Sequence, residues 1–158
     1  MPVDFDSNGN LIPYDKLKFD LEILKQTFVN DFPSSSTRQQ LFEGLNRYRN
    51  EFFEEVNSNF IQWIGGSFVT KKLDPLDIDL ANLIPFNEKM DLDIERLIPF
   101  LTVGGSVDVY GIDGYLIPIY ESGDERFENT QLRLKYFNDW FGHDRNDNQK
   151  GFVEIKEL

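Results

Sequence analysis

The chain has 158 residues, 40% of them hydrophobic and 15% aromatic, enough to bury one sizeable core without disulfides or a structural metal and too few for two ordinary domains. It contains no cysteine, which excludes thiol catalysis, Cys-ligated zinc and iron–sulfur clusters. Lys and Arg number 16 against 28 Asp and Glu, a formal charge of −12. Broad binding to DNA or RNA is therefore disfavoured, because each phosphate contact calls for a cation, whereas a basic protein partner or a small anion held with a divalent metal is left open.

The opening MPVDFDSNGN has acids where a signal peptide carries a basic segment and an apolar run, and no stretch reaches the about 18 apolar residues of a membrane span, so a soluble cytoplasmic protein is expected. Residues 1–14 read as an extended arm around the turn Asp6-Ser7-Asn8-Gly9-Asn10, with Pro13 discouraging helix before it. Leu17, Leu21, Leu24 and Phe28 fall at helical spacing up to Asp31-Phe32-Pro33, which predicts a helix after Asp15. Ser34-Ser35-Ser36-Thr37 offers N-caps to a second helix carrying Leu41, Leu45, Phe52 and Val56.

Phe60–Ile64 is aromatic and β-branched, and predicts a strand running into Gly65-Gly66-Ser67. The next strand, Asp77-Ile78-Asp79-Leu80-Ala81, alternates so that both acids share one face. Residues 88–99 read as a helix, residues 106–110 and 115–120 as strands, 126–141 as a helix and 152–155 as a short strand within a C-terminal turn and strand over 142–158. The expectation is a single α+β domain over 1–158, a small mixed sheet with helices packed mainly on one face.

The chemistry concentrates in the stretch from Trp63 to Leu80: a strand, a glycine turn, two lysines, then a strand with paired acids. Gly66 lets backbone approach a phosphate closely and Ser67 can hydrogen-bond to it. Carboxylates spaced i, i+2 on a strand suit a magnesium ion that in turn holds nucleotide phosphates. Nine residues, 68–76, separate Gly66-Ser67 from Asp77.

This combination resembles the signature of the nucleotidyltransferase superfamily related to DNA polymerase β, in which an apolar residue, Gly and Gly or Ser precede Asp-apolar-Asp-apolar. Nearly end to end, the chain is similar to a family of small bacterial nucleotidyltransferase-like proteins, some associated with toxin–antitoxin or phage-defence genes. The matching stretches are Asn8–Pro13, Leu41–Leu45, Gly66–Lys71, Asp77–Leu80, Trp140–Arg145 and Lys150–Ile155.

The resemblance implies a site of one or two Mg²⁺ ions on Asp77, Asp79 and a third carboxylate from a later strand, for which Asp108 is chosen with Asp113 in reserve; Asp108 would also help deprotonate an attacking hydroxyl. Gly66, Ser67 and Lys71 or Lys72 would hold the triphosphate of an NTP while a nucleotide monophosphate passes to a hydroxyl on a protein, less favourably an RNA, and pyrophosphate leaves. The alternative is a catalytically silent relative that neutralises a basic partner with its acidic surface, as an antitoxin does.

Other motifs read more plainly. Asp4-x-Asp6-x-Asn8-Gly9 and Asp144-x-Asn146-x-Asn148 imitate the start of a calcium loop, but the first lacks an entering helix and the second has Gln149 where glycine is needed, so both are expected to be turns. His143, the sole histidine, is expected at the surface near a helix end. Asp91-Leu92-Asp93 is assigned to a helix start without chemistry.

Overall fold

The computed structural model describes residues 3–56, 59–86 and 94–156. Strands β1 (Asp4–Phe5) and β2 (Leu11–Ile12) pair antiparallel. The turn between them is held by Asp6, whose Oδ1 accepts the N–H groups of Asn8 and Asn10 at 2.8 and 3.0 Å. Strand β3 (Lys16–Lys18) follows, and only then helix α1 (Leu21–Lys25), which runs on as a π-helical turn, Gln26–Asn30. Leu17 thus lies on a strand and not on the predicted helical face. Asp20 caps the helix, accepting the Ile23 N–H at 2.8 Å, and β3 takes a partner from the far end of the chain, a tertiary demand that overrides local spacing.

Helix α2 (Arg38–Glu55) begins where Ser35 Oγ accepts the Arg38 N–H, and strand β4 (Ile61–Gly65) follows the serine-capped helix as predicted. After a 3-10 turn, Ser67–Val69, come β5 (Ile78–Phe86), α3 (Ile94–Leu97), further 3-10 turns at Ile98–Phe100 and Thr102–Gly104, and α4 (Ser106–Tyr110). Strand β6 (Ile112–Tyr120), helix α5 (Phe127–Phe141) and strand β7 (Phe152–Ile155) complete the order. The predicted helix start at Asp91-Leu92-Asp93 and the first half of the predicted 88–99 helix lie outside the described residues; Ile94–Leu97 is helical.

The main sheet has five strands in the order β3-β7-β4-β5-β6. Its β3–β7 and β5–β6 pairs are parallel, and β7–β4 and β4–β5 antiparallel. The architecture is α+β. Alternation along the strands divides two cores: Ile64, Leu80 and Ile84 face α1, α2 and α4, while Trp63, Ala81, Leu83 and Ile117 face Phe137 and Phe141 of α5. The helices therefore favour one face, and α5 covers the other.

A buried polar seam crosses the first core. Arg49 Nη1 donates to Gln62 Oε1, Gln62 Nε2 to Asn82 Oδ1 at 2.8 Å, and Asn82 Nδ2 to the Tyr48 hydroxyl at 2.7 Å, which donates to Phe100 O. These bonds satisfy groups whose burial would otherwise be costly, and they tie α2 to β4 and β5 in one register. Among the described residues no helix is long and apolar enough to cross a membrane.

Candidate metal and phosphate site

Three neighbouring strands bring the site together. Gly65 on β4 is in register with Asp79 on β5, and Asp79 with Asp113 on β6. All three positions lie on the face that α5 covers, and Asp77 precedes β5 by one residue on the same side. One carboxylate oxygen from each of Asp77, Asp79 and Asp113 lies within 4.8 Å of the others.

What surrounds these acids separates them from the chain's other aspartates. Asp6 is saturated by two backbone N–H groups and the Tyr14 hydroxyl, and Asp74 accepts from Ser35 Oγ and the Ser36 N–H. Asp77 and Asp79 accept no hydrogen bond from an N–H or hydroxyl among the described residues, although both are half-buried. Burial first, then sharing a proton with Asp113 and the charges of Asp77 and Asp113, push the Asp79 carboxyl up toward neutrality; Lys150 works against the rise. Asp77 is also raised, by burial and by the charge of Asp113, with Lys72 opposing. Crowded, partly dry oxygens without donors are a donor set for a hard divalent cation.

Asp113 is oriented by its own partners. Thr102 Oγ1 donates to its Oδ1 and the Tyr115 hydroxyl to its Oδ2, the latter at 3.0 Å. Burial and the Asp113 carboxylate push the Tyr115 phenol up to about 12, so it stays a donor at neutral pH. Outer bonds of this kind fix which oxygen a ligating carboxylate presents.

The glycine turn faces the acids. Gly66 has φ +69°, and a Cβ there would lie 1.9 Å from Asp79 Oδ2, so only glycine allows the loop to pass over the carboxylate. Gly66→Ala is expected to cost about 2 to 4 kcal/mol, by strain at positive φ and by displacing Asp79; urea unfolding would check it, and a loss under about 0.5 kcal/mol would mean that the loop is not fixed over Asp79.

Beyond Gly66 the loop is stapled by Arg38. Its guanidinium is fully buried and donates to Phe28 O, Phe68 O, Thr70 O and Lys72 O at 2.5 to 2.9 Å. The Ser67 hydroxyl and the Lys72 side chain are left to line a cleft of ≈ 570 Å³ in front of the three acids. Lys71 points elsewhere: it is exposed, and its N–H donates to Gly9 O at 2.9 Å.

Trp140, His143, Arg145 and Lys150 line the same cleft. Lys150 is 8% exposed, and its ammonium makes no hydrogen bond or ion pair among the described residues. Burial lowers the pKa of Lys150, while the charges of Asp79 and Asp144 favour its protonated form. The Asn10 side chain sets its position by donating to Asp144 Oδ2 at 3.0 Å and Gln149 O at 3.3 Å, and the Lys150 N–H donates to Gly142 O.

A model of a family of unknown function, DUF6932, matches residues 3–156. The chain belongs to that family. No curated protein and no solved structure shows significant similarity to it.

In this DUF6932 chain the structure groups Gly66, Ser67, Lys72, Asp77 and Asp79 as anticipated and leaves out two residues, Lys71 and Asp108. Asp108 is a correction. The segment Ser106–Tyr110 is one helical turn between Gly105 and Gly111, both at positive φ, and Asp108 is exposed to solvent on it. Ser106 and Tyr110 are buried while Asp108 between them is exposed, whereas the expected period of two would put all three on one face. The reserve residue, Asp113, takes the third place because β6 starts at Ile112, before the predicted Tyr115. Lys150, Thr102, Tyr115 and Arg38 were not singled out by sequence; none sits in a local pattern that marks it.

The remaining motifs are structural. Asp144 Oδ1 accepts the N–H groups of Asn146 and Asn148, making a turn closed by the His143–Gln149 bridge. His143 Nδ1 lies 2.7 Å from Asp139 O at the end of α5, as expected of a histidine near a helix end, yet its ring also lines the cleft. Among the described residues, Asp77, Asp79 and Asp113 are the metal-competent acidic cluster.

Proposed function

We propose that this DUF6932 chain is a divalent-metal-dependent nucleotidyltransferase that moves a nucleotide monophosphate from an NTP to a hydroxyl group of a protein acceptor in the cytoplasm. The observation that carries this reading is the convergence of Asp77, Asp79 and Asp113, the first two accepting no N–H or hydroxyl bond among the described residues, in a cleft that the Gly66-Ser67 turn and Lys72 also line. When bound, Mg²⁺ would neutralise phosphate charge and polarise the transferred phosphorus. Asp77, Asp79 and Asp113 would hold it.

The protein's own part is positioning and charge, not covalent chemistry. The acceptor oxygen attacks the α-phosphorus, the bond from that phosphorus to the bridging oxygen breaks, and pyrophosphate leaves with the electron pair. Asp113, whose orientation Thr102 and Tyr115 fix, would take the hydroxyl proton. Ser67 and Lys72, which line the cleft, would accompany the leaving phosphates. The charge of −12 argues against an RNA acceptor and for a basic protein, such as a cognate toxin.

The alternative, a silent antitoxin-like module, draws support from Leu132 and Tyr136, which are 60% and 63% exposed on α5. Thermal stability with each NTP, with and without Mg²⁺, tests the main reading, since a ligand bound only to the folded state raises its melting temperature. The wild type is expected to gain several degrees when both are present, and Asp77→Asn/Asp79→Asn to gain nothing. Absence of a shift at millimolar ligand, with retained binding of a basic partner by the double variant, would favour the silent module.

A further inference from the structure

We infer that Lys150 is the cation that seats the terminal phosphates of the bound nucleotide, and that the N-terminal arm, through Asn10, builds this subsite. The inference rests on the reading of the cleft as a metal–NTP site and adds to it a residue from outside the Gly66–Asp79 stretch.

The ammonium of a lysine that is nine-tenths buried needs an anion or several acceptors. Lys150, only 8% exposed, has neither hydrogen bond nor ion pair among the described residues. Its nearest formal counter-charges are Asp79 and Asp144, and neither satisfies it. Asp144 is fully engaged: Oδ1 takes the N–H groups of Asn146 and Asn148, and Oδ2 the side-chain amides of Asn10 and Asn148 at 3.0 and 3.1 Å. Asp79 lies in the acidic cluster, where a divalent cation would compete for its oxygens.

The ammonium therefore lines the cleft as a charge without a partner, and Lys72 and Arg145 border the same space. In a protein with a charge of −12, three cations gathered in one cleft offset most of the charge of the four aspartates, Asp77, Asp79, Asp113 and Asp144, that also line it. The ligand that fits carries several negative charges, can share a divalent ion with three carboxylates and can extend toward Lys150: a polyphosphate tail.

Rigid delivery supports the assignment. Lys150 lies between two backbone anchors, its own N–H on Gly142 O and the Gly151 N–H on Leu11 O at 2.9 and 2.7 Å. A Cβ at Gly151 would come within 2.4 Å of Pro13 O, so arm and hairpin are in close contact there. Such a framework fixes the ammonium before the ligand arrives, which lowers the cost of binding.

The test uses the full chain and two probes, Mn²⁺ alone by electron paramagnetic resonance and inorganic tripolyphosphate with Mg²⁺ by calorimetry. Lys150→Met is expected to lower tripolyphosphate affinity about 10- to 100-fold, the loss of one charge-assisted contact, and to leave Mn²⁺ affinity within about twofold. Lys71→Met, outside the cleft, is expected to change neither. Should Lys150→Met fail to fold, the assigned Lys150 ¹³Cε resonance of the wild type is expected to move on adding tripolyphosphate with Mg²⁺. A Lys150→Met protein that binds both probes like the wild type, or a Lys150 resonance that stays still in the ligated wild type, would overturn the inference and leave the metal–NTP reading standing. A wild type that binds Mn²⁺ but neither tripolyphosphate nor any NTP would overturn both.

Discussion

Asp79→Asn is expected to lower nucleotide transfer by roughly 1,000-fold or more, the several kcal/mol that a held metal ion supplies, and at the same time to make the metal-free protein harder to melt at pH 7.5. The second effect follows from the company Asp79 keeps. Its carboxylate is half-buried, close to Asp77 and Asp113, and accepts no N–H or O–H bond among the described residues. Its pKa in the folded chain is raised, by burial and by proton sharing with Asp113 before charge repulsion.

The folded state consequently holds its proton more tightly than the unfolded state does. Stability is lost as pH rises from the ordinary carboxylate range toward neutrality, and the whole penalty is present above that interval. Asparagine, which never ionises, removes the penalty. A gain on the order of 1 to 3 kcal/mol, or several degrees in melting temperature, is expected at pH 7.5 and should vanish near pH 3.5. Excess Mg²⁺ is expected to narrow the gap by stabilising the wild type alone. Melting curves of both proteins over this pH range, without and with Mg²⁺, would check it. An Asp79→Asn protein less stable than the wild type at pH 7.5 would show that the carboxylate is a structural acceptor.

Arg38→Met is expected to cost about 3 to 5 kcal/mol, the largest stability loss predicted here, because it strips donors from four backbone carbonyls that have been folded around them. Phe28 O belongs to the π-helical turn, whereas Phe68 O, Thr70 O and Lys72 O belong to the loop between β4 and β5. The guanidinium also lies 4.0 Å from the centre of the Phe32 ring and 5.3 Å from that of Phe68, contacts that methionine's uncharged chain replaces only in part. Burial brings the Arg38 pKa down to about 10, so it remains charged at neutral pH.

A lower urea midpoint with an unchanged slope is the expected signature. The loop's own bonds, from Thr70 Oγ1 and the Thr70 N–H to Ser67 O at 2.8 and 3.1 Å and from the Lys72 N–H to Thr70 Oγ1 at 3.3 Å, leave Phe68 O, Thr70 O and Lys72 O to Arg38. A loss under about 1 kcal/mol would mean that those bonds hold the loop without it. Because the staple fixes Ser67 and Lys72, the variant should also lose NTP binding at temperatures where it is still folded.

The parts of this architecture that sequence made legible share a physical feature: the signal is local and long enough to carry a period. Asp77 to Ala81 alternates inside a nine-residue strand, and a strand followed by Gly65-Gly66-Ser67 has few conformations open to it, so the paired acids and the turn could be placed together. Ser106 to Tyr110 is too short for that. Over five residues a period of 2 and a period of 3.6 both put the first and last side chains on one face, and the choice falls to the flanking glycines. Asp108 and Asp113 are separated by that ambiguity alone.

Leu17 is a different case, a helical spacing overruled by a strand partner 136 residues away, Val153. Lys150 opens one of the stretches that carry the resemblance, but no spacing or periodicity there points to the cleft. Its place depends on Asn10 reaching Asp144 across 134 residues, and contacts of that range leave no periodic trace.

The position of β7 in the sheet has a consequence for how the protein is made. This strand, the last of those described along the chain, is inserted between β3 and β4 rather than added at a margin. Until Phe152–Ile155 has emerged from the ribosome, β4 offers an open row of amides and carbonyls, and β3 has no ladder to join. Contacts between the two ends of a chain are slow to form, and the exposed edge is a hazard while they are awaited. The same insertion holds Lys150 at the cleft, so a nascent chain has the cleft only in part, and a fragment clipped before Phe152 would be prone to pair with its neighbours.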